Sequence, residues 1–263
     1  MDAMSQTAFP VTLPCGYYDS RTGQVYNTAT VVTMTGATRK AVADPQVRQS
    51  AARVLDTVLL HCVKTVGPYP VTQDVVDGMT LPDRDTLVAK IREASMGPLA
   101  HVTGDCSECG ARGLSVEYDF RTLTFTGPVL DAQDIRDVFG KKFQCFPLNL
   151  PKHNVKAIFR YPVGSDQHKI ANIIRKNPIE AMLILMRSTV VEWNGIPVNE
   201  VSPLLFEQLP VNVLDDLNVA FRDALPGPDF RAETTCTECG AAVDIDVDAS
   251  DFIFPLAPKT RRK

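Results

Sequence analysis

The chain has 263 residues, 44% hydrophobic and 22% charged, with a formal net charge of −4. That composition describes one large or two small domains with an ordinary core, and it excludes the broad basic footprint of a nucleic-acid binder. No apolar run reaches the ~18 residues that a membrane helix needs.

The first residues, MDAMSQTAFPVTLP, lack the basic-then-apolar layout of a secretion signal, so a cytoplasmic setting is expected. Beyond them, VTLPCGYYDSRTGQVYNTATVVTM alternates β-formers around Gly23 and predicts a hairpin. Asp44-Pro45 then opens an apolar-periodic segment, an N-cap residue followed by proline where the missing N–H costs nothing. Val47, Ala51, Val54, Leu55, Val58, Cys62 and Val66 place one stripe on a helix that stops near Gly67. Leu81-Pro82 opens a shorter helix with Leu87, Val88 and Ile91 inward, ended by Gly97-Pro98. CSECG follows at 106–110, and LSVEYDF reads as a closing strand.

The same order then returns. Past a linker at 129–139, FPLNLP at 146–151 repeats FPVTLP at 9–14. LNLPKHNVKAIFRYPV predicts a hairpin turning near His153-Asn154. Asn177-Pro178 opens a helix that uses Ile179, Met182, Leu183, Met186 and Val190 and stops near Gly195. Leu209-Pro210 opens the next, with Leu214, Leu217 and Phe221 inward and Gly227-Pro228 at its end. CTECG at 236–240 and AVDIDVD complete the series. The landmarks recur in one order at offsets of 137, 133, 128, 128, 130 and 130 residues, which points to an internal duplication. The expected fold is α+β: two pseudo-symmetric halves, 1–128 and 140–263, each a β-hairpin, two helices and a strand pair carrying a zinc knuckle.

Cys-x-x-Cys-Gly suits a metal knuckle, because two thiolates reach one ion and the glycine turns the backbone behind them. One pair supplies half of a tetrahedral site, and the second half has only Cys145, His153 and His168 to add, all far upstream. The economical arrangement is one structural zinc per chain, shared by Cys106, Cys109, Cys236 and Cys239. Redox thiols, or reduced thiols without metal, are the alternatives.

Other signals read as structural. DIDVDASD begins like a calcium loop but has Ala249 and Pro255 where glycine and glutamate belong, so it is expected to be a strand with one wet face. His61 and Cys62 point in different directions on a helix, Cys62 is expected in the core, and Cys15 and Cys145 are expected in the core or at an edge. KTRRK at 259–263 reads as a solvated terminus. No phosphate loop, nucleophile elbow or paired carboxylate set appears, so no catalytic residue and no small-molecule substrate is expected.

FPLNLP, AIFRYPVG, the helix from Pro178, LPVNVLDDL, CTECG and DFIFP together resemble the baseplate and baseplate-hub assembly proteins of contractile-tailed bacteriophages, the T-even baseplate group. The long first hairpin and the GSDQHK stretch depart from that pattern. The resemblance implies a non-catalytic hub assembly factor or minor baseplate component. Its partners would be other baseplate or hub proteins, met in the host cytoplasm during assembly or in the virion tail. The competing class is a zinc-ribbon nucleic-acid-binding or regulatory protein, which an acidic chain with 7% aromatic residues does not favour.

Overall fold

The computed structural model describes residues 7–126, 134–138, 140–174 and 176–246. β1 (Ala8–Asp19) and β2 (Gln24–Val32) form the predicted hairpin at Gly23. α1 (Gly36–Val42), α2 (Pro45–Arg48) and α3 (Ala51–Cys62) follow, and the chain returns as β3 (Val63–Val66) and β4 (Tyr69–Pro70). The sheet order is β1-β2-β3-β4. α4 (Gln73–Gly78) and α5 (Leu81–Met96) lead to a two-stranded ribbon, β5 (Leu99–Gly104) and β6 (Leu114–Asp119), and then to β7 (Phe125–Thr126).

β8 (Asp134–Val138) is the edge of a second sheet, so this part of the expected linker is strand, while residues 129–133 and 139 lie outside the described residues. β9 (Lys141–Leu150) and β10 (Val155–Arg160) form the second hairpin, turning at Asn154. After α6 (Gly164–Ile170) and α7 (Pro178–Thr189) come β11 (Val190–Trp193) and β12 (Ile196–Pro197), giving the order β12-β11-β10-β9-β8. α8 (Val211–Asp223) precedes β13 (Gly227–Pro228), which pairs with β7, and a second ribbon, β14 (Arg231–Thr235) and β15 (Ala242–Asp246). Thus β1-β2-β3-β4 and β9-β10-β11-β12 run in one order. Both sheets shift register at the same place, at Thr30/Val31 on β2 and Ile158/Phe159 on β10.

Local chemistry explains the helix starts. The Asp44 side chain accepts from the Gln46 N–H and the Asn177 side chain from the Glu180 N–H, each with proline in the first turn. The helix ends differ from expectation. Instead of one helix to Gly67, α2 ends at Arg48, α3 begins at Ala51, and the chain becomes strand after Cys62. Val63-Lys64-Thr65-Val66 is rich in β-branched residues and pairs with β2, so tertiary pairing overrides a stripe that continued at helical spacing. Val190 likewise belongs to β11, and Gly67 and Gly195 are hairpin turns rather than helix stops. Gly97 does cap α5, but α8 ends at Asp223 with Ala224 as its cap, and Gly227 lies in β13. Ile179, assigned inward, is 58% exposed. β15 confirms the strand reading of DIDVDASD for residues 244–246, with Val243 and Ile245 buried; the rest of that stretch and the KTRRK tail lie outside the described residues.

Among the described residues, three apolar clusters form the interior. One lies among β1–β3 and α3–α5, and the second around Phe146, Phe159, Tyr161, Phe206 and Phe221. The third joins the two ribbons through Val102, Tyr118, Val243 and Ile245. The halves are closely joined. Cys15 of β1 belongs to the second cluster, the Leu81 N–H donates to the Pro162 carbonyl at 2.9 Å, and the Gly164 N–H donates to that of Met79 at 3.0 Å. A Cβ at Gly164 would lie 2.5 Å from Nη1 of Arg84 and 2.6 Å from the Val76 carbonyl oxygen, so only glycine admits this approach of α6 to α5.

Candidate metal centre

Each cysteine sentence forms the tight turn between two ribbon strands. In the first, the Cys106 N–H donates to the Ala111 carbonyl at 2.8 Å and the Gly110 N–H to that of Cys106 at 2.9 Å. In the second, the Cys236 N–H donates to Ala241 at 2.8 Å and the Gly240 N–H to Cys236 at 2.9 Å. Gly110 and Gly240 take φ of +73° and +74°, which explains glycine after each second cysteine. The ribbons pack face to face, and Gly104 makes room for Ile245, whose Cγ1 would lie 2.7 Å from a Cβ there.

That packing brings the four sulfurs together across the halves. Cys106 Sγ lies 3.8 Å from Cys239 Sγ, and Cys109 Sγ lies 3.6 Å from Cys236 Sγ. All four atoms lie within 4.8 Å of one another. Zinc at about 2.3 Å from each sulfur of a tetrahedron would set them about 3.8 Å apart, so the donor set fits the ion in size and chemistry. Cys106 and Cys236 are buried at 2% and 1% exposure, whereas Cys109 and Cys239 face solvent.

The electrostatics agree with a site that wants a cation. Backbone N–H groups of Cys239 and Glu238 bring the Cys236 thiol down to about 7. The Ala111 N–H favours the Cys109 thiolate, but the neighbouring sulfurs of Cys239 and Cys236, with burial, outweigh it and push that thiol up to about 12. One thiolate therefore forms readily while its neighbour resists, as sulfurs in contact must unless a positive ion joins them. Strands follow both pairs, so neither cysteine gains the helix N-terminus that activates a redox thiol.

The remaining cysteines and histidines stand apart from this centre. Cys15, Cys62 and Cys145 are buried, and burial pushes each thiol up, that of Cys145 to about 11. His61 is exposed beside Cys62, and His153 pairs with Asp216 at 2.7 Å.

A second polar cluster escaped the sequence. Asp56 of α3, Asp77 of α4 and His168 of α6 place side-chain atoms within 4.8 Å of one another where the halves meet. Asp56 is already engaged, by Arg84 Nη2 at 2.6 Å and His168 Nε2 at 2.7 Å, and Arg84 Nη2 also donates to Gln167 at 3.1 Å. The arrangement is an ion-pair junction between α3, α5 and α6. Its signal was a charge on the apolar face of α3, where Asp56 is buried among Ala52, Leu55 and Leu59.

Among the described residues, no helix is long and apolar enough to cross a membrane. No curated protein and no solved structure matches the chain. A family model described as "T4 bacteriophage base plate protein" matches residues 41–253, a span that takes in the helices from α2 onward, β3 and β4 of the first sheet, the whole of the second and both cysteine sentences. With most of its length matched, the chain belongs to the T4 bacteriophage base plate protein family.

Proposed function

We propose that this protein is a non-catalytic assembly factor or minor component of the tail baseplate hub. In this reading its two halves, 1–128 and 140–263, arose by duplication and are stapled by one structural zinc. Cys106, Cys109, Cys236 and Cys239 are the ligands. The observation that carries the zinc is the pair of cross-half sulfur contacts, 3.8 and 3.6 Å, between residues more than 120 positions apart. When bound, the ion supplies cohesion, and in small peptides structural zinc contributes about 10–16 kcal/mol. The chain's own part is to hold the thiolates: Gly110 and Gly240 permit the turns, and backbone N–H groups support Cys236. The shared strand order supports the duplication. Family membership supports other baseplate proteins as partners, met in the host cytoplasm during assembly or in the virion tail. The net charge of −4 speaks against nucleic acid as the partner.

Metal analysis of purified protein should give about one zinc per chain, and Cys106→Ser with Cys109→Ser should abolish it. Retention of half the metal, from two per chain, would mean separate sites. Pull-down from infected cells should recover baseplate or hub proteins. Salt-sensitive binding to DNA or RNA with no tail protein recovered would reverse the assignment.

A further inference from the structure

The junction between α3, α4 and α6 carries more negative charge than its fixed cation balances. Arg84 pairs with Asp56 at 2.6 Å, while Asp77 makes no ion pair among the described residues. One carboxylate oxygen of each aspartate and one ring nitrogen of His168 nevertheless lie within 4.8 Å of one another. Two carboxylates and an imidazole, set against one guanidinium, leave room for a further positive charge.

Both carboxylates are oriented from behind. Asp56 Oδ1 accepts from Arg84 Nη2 at 2.6 Å, and that guanidinium is itself fixed by the Val76 carbonyl at 2.8 Å and Gln167 Oε1 at 3.1 Å. Asp77 Oδ1 accepts from Gln73 Nε2 at 2.7 Å, one turn earlier on α4. Each aspartate thus commits one oxygen to a held donor and keeps the other for a second partner, the way outer hydrogen bonds orient metal ligands. Asp56 Oδ2 already faces His168 Nε2 at 2.7 Å. Ligand atoms about 2.1 Å from one ion stand about 3 Å apart at right angles, so a small adjustment of Asp77 and His168, both only partly buried, closes the three on a cation. An entry path exists as well. Asp77 lines a cleft of about 600 Å³ walled by both halves, with Tyr17 and Thr80 from one and Gln144 and Ser165 from the other, which leaves space for water on the remaining coordination positions.

We propose that Asp56, Asp77 and His168 form a second metal site, which binds a divalent first-row transition ion and ties α3 and α4 of one half to α6 of the other. Two carboxylates, one imidazole and water suit an ion such as Mn²⁺, whereas the four thiolates select a softer one. The site shares no ligand with the cysteine centre, so the zinc measurement and this one can fail separately.

Mn²⁺ is the probe that tells the two sites apart, because thiolates hold it poorly. Full-length protein, its zinc content measured first, is titrated with Mn²⁺ while the electron paramagnetic resonance signal of the free ion is followed. About one Mn²⁺ should bind per chain. His168→Gln and Asp77→Asn, both at partly exposed positions and with the circular dichroism spectrum of the parent, should each weaken binding about tenfold or more. Gln73→Leu, which removes only the donor behind Asp77, should weaken it in the same direction. Mn²⁺ should also raise the unfolding midpoint of the parent and leave that of Asp77→Asn where it was. No binding up to about 1 mM Mn²⁺ overturns the proposal. So does binding that survives both His168→Gln and Asp77→Asn, which puts the ion elsewhere, or a midpoint that Mn²⁺ does not move.

Discussion

Removing the Asp56 carboxylate tests whether the ion-pair junction holds the halves together. Arg84 is 0% exposed, and its Nη atoms meet Asp56 at 2.6 Å, the Val76 carbonyl at 2.8 Å and Gln167 at 3.1 Å. Asp56→Ala takes from a buried guanidinium the carboxylate that pairs with it at 2.6 Å, and Asp77 of the same cluster is not within ion-pair distance of it. Breaking a buried pair in this way costs about 3–5 kcal/mol. His168, at 35% side-chain exposure, rehydrates and adds little. With a urea slope of about 3 kcal/mol/M, the unfolding midpoint should fall by about 1–1.7 M. Trp193, the single tryptophan and 7% exposed in β11, reports the C-terminal half by fluorescence. Replacing both partners, Asp56→Leu with Arg84→Met, removes the stranded charge and should return stability to within about 1 kcal/mol of the parent. A single variant within about 1 kcal/mol of the parent would refute the reasoning, as would a double variant as unstable as the sum of its parts.

Gly164→Ala, by contrast, overfills the same junction: with a Cβ 2.6 Å from the Val76 carbonyl oxygen, it should destabilise by about 1–3 kcal/mol in the same melts. Burial pushes the Asp83 carboxyl up from 3.8 to about 6, so between those pH values the folded chain holds a proton that the unfolded chain has lost. Its contribution to stability is therefore greatest below about pH 4 and falls by about 3 kcal/mol as pH rises to about 6. Asp83→Asn keeps an acceptor for the N–H groups of Cys15 and Gly16. The difference in unfolding free energy between the two proteins should move by that amount between pH 4 and pH 7, and a constant difference would contradict the burial argument.

Signals whose partners lie nearby in sequence were legible. An Asp or Asn before proline caps the backbone two or three residues on, so α2 and α7 began where the sequence placed them. The knuckles were equally plain, since the two sulfurs and the glycine of each share one five-residue turn. Helix ends were not, because Val58, Cys62 and Val66 keep helical spacing while Val63–Val66 also suits a strand, and only pairing with β2 decides between them. Gly67 and Gly195 then looked like helix stops, although a glycine in a hairpin turn satisfies the same preference.

The two junctions between the halves show how this limit works. The sulfur cluster was reachable by elimination, since each pair was visibly incomplete and a second incomplete pair existed elsewhere in the chain. The Asp56, Arg84 and Gln167 cluster announced no such need. Its members stand 28 and 83 positions apart, and each alone resembles a surface charge or amide on an amphipathic helix. What marked Asp56 was its place on the apolar stripe of α3, and a buried charge in that setting demands a partner. The same reasoning in reverse applies to α7. Ile179 fits a core stripe by spacing, yet the structure leaves it 58% exposed at the start of α7. Periodicity locates the apolar side of a helix, and only the assembled chain reveals whether anything lies against it.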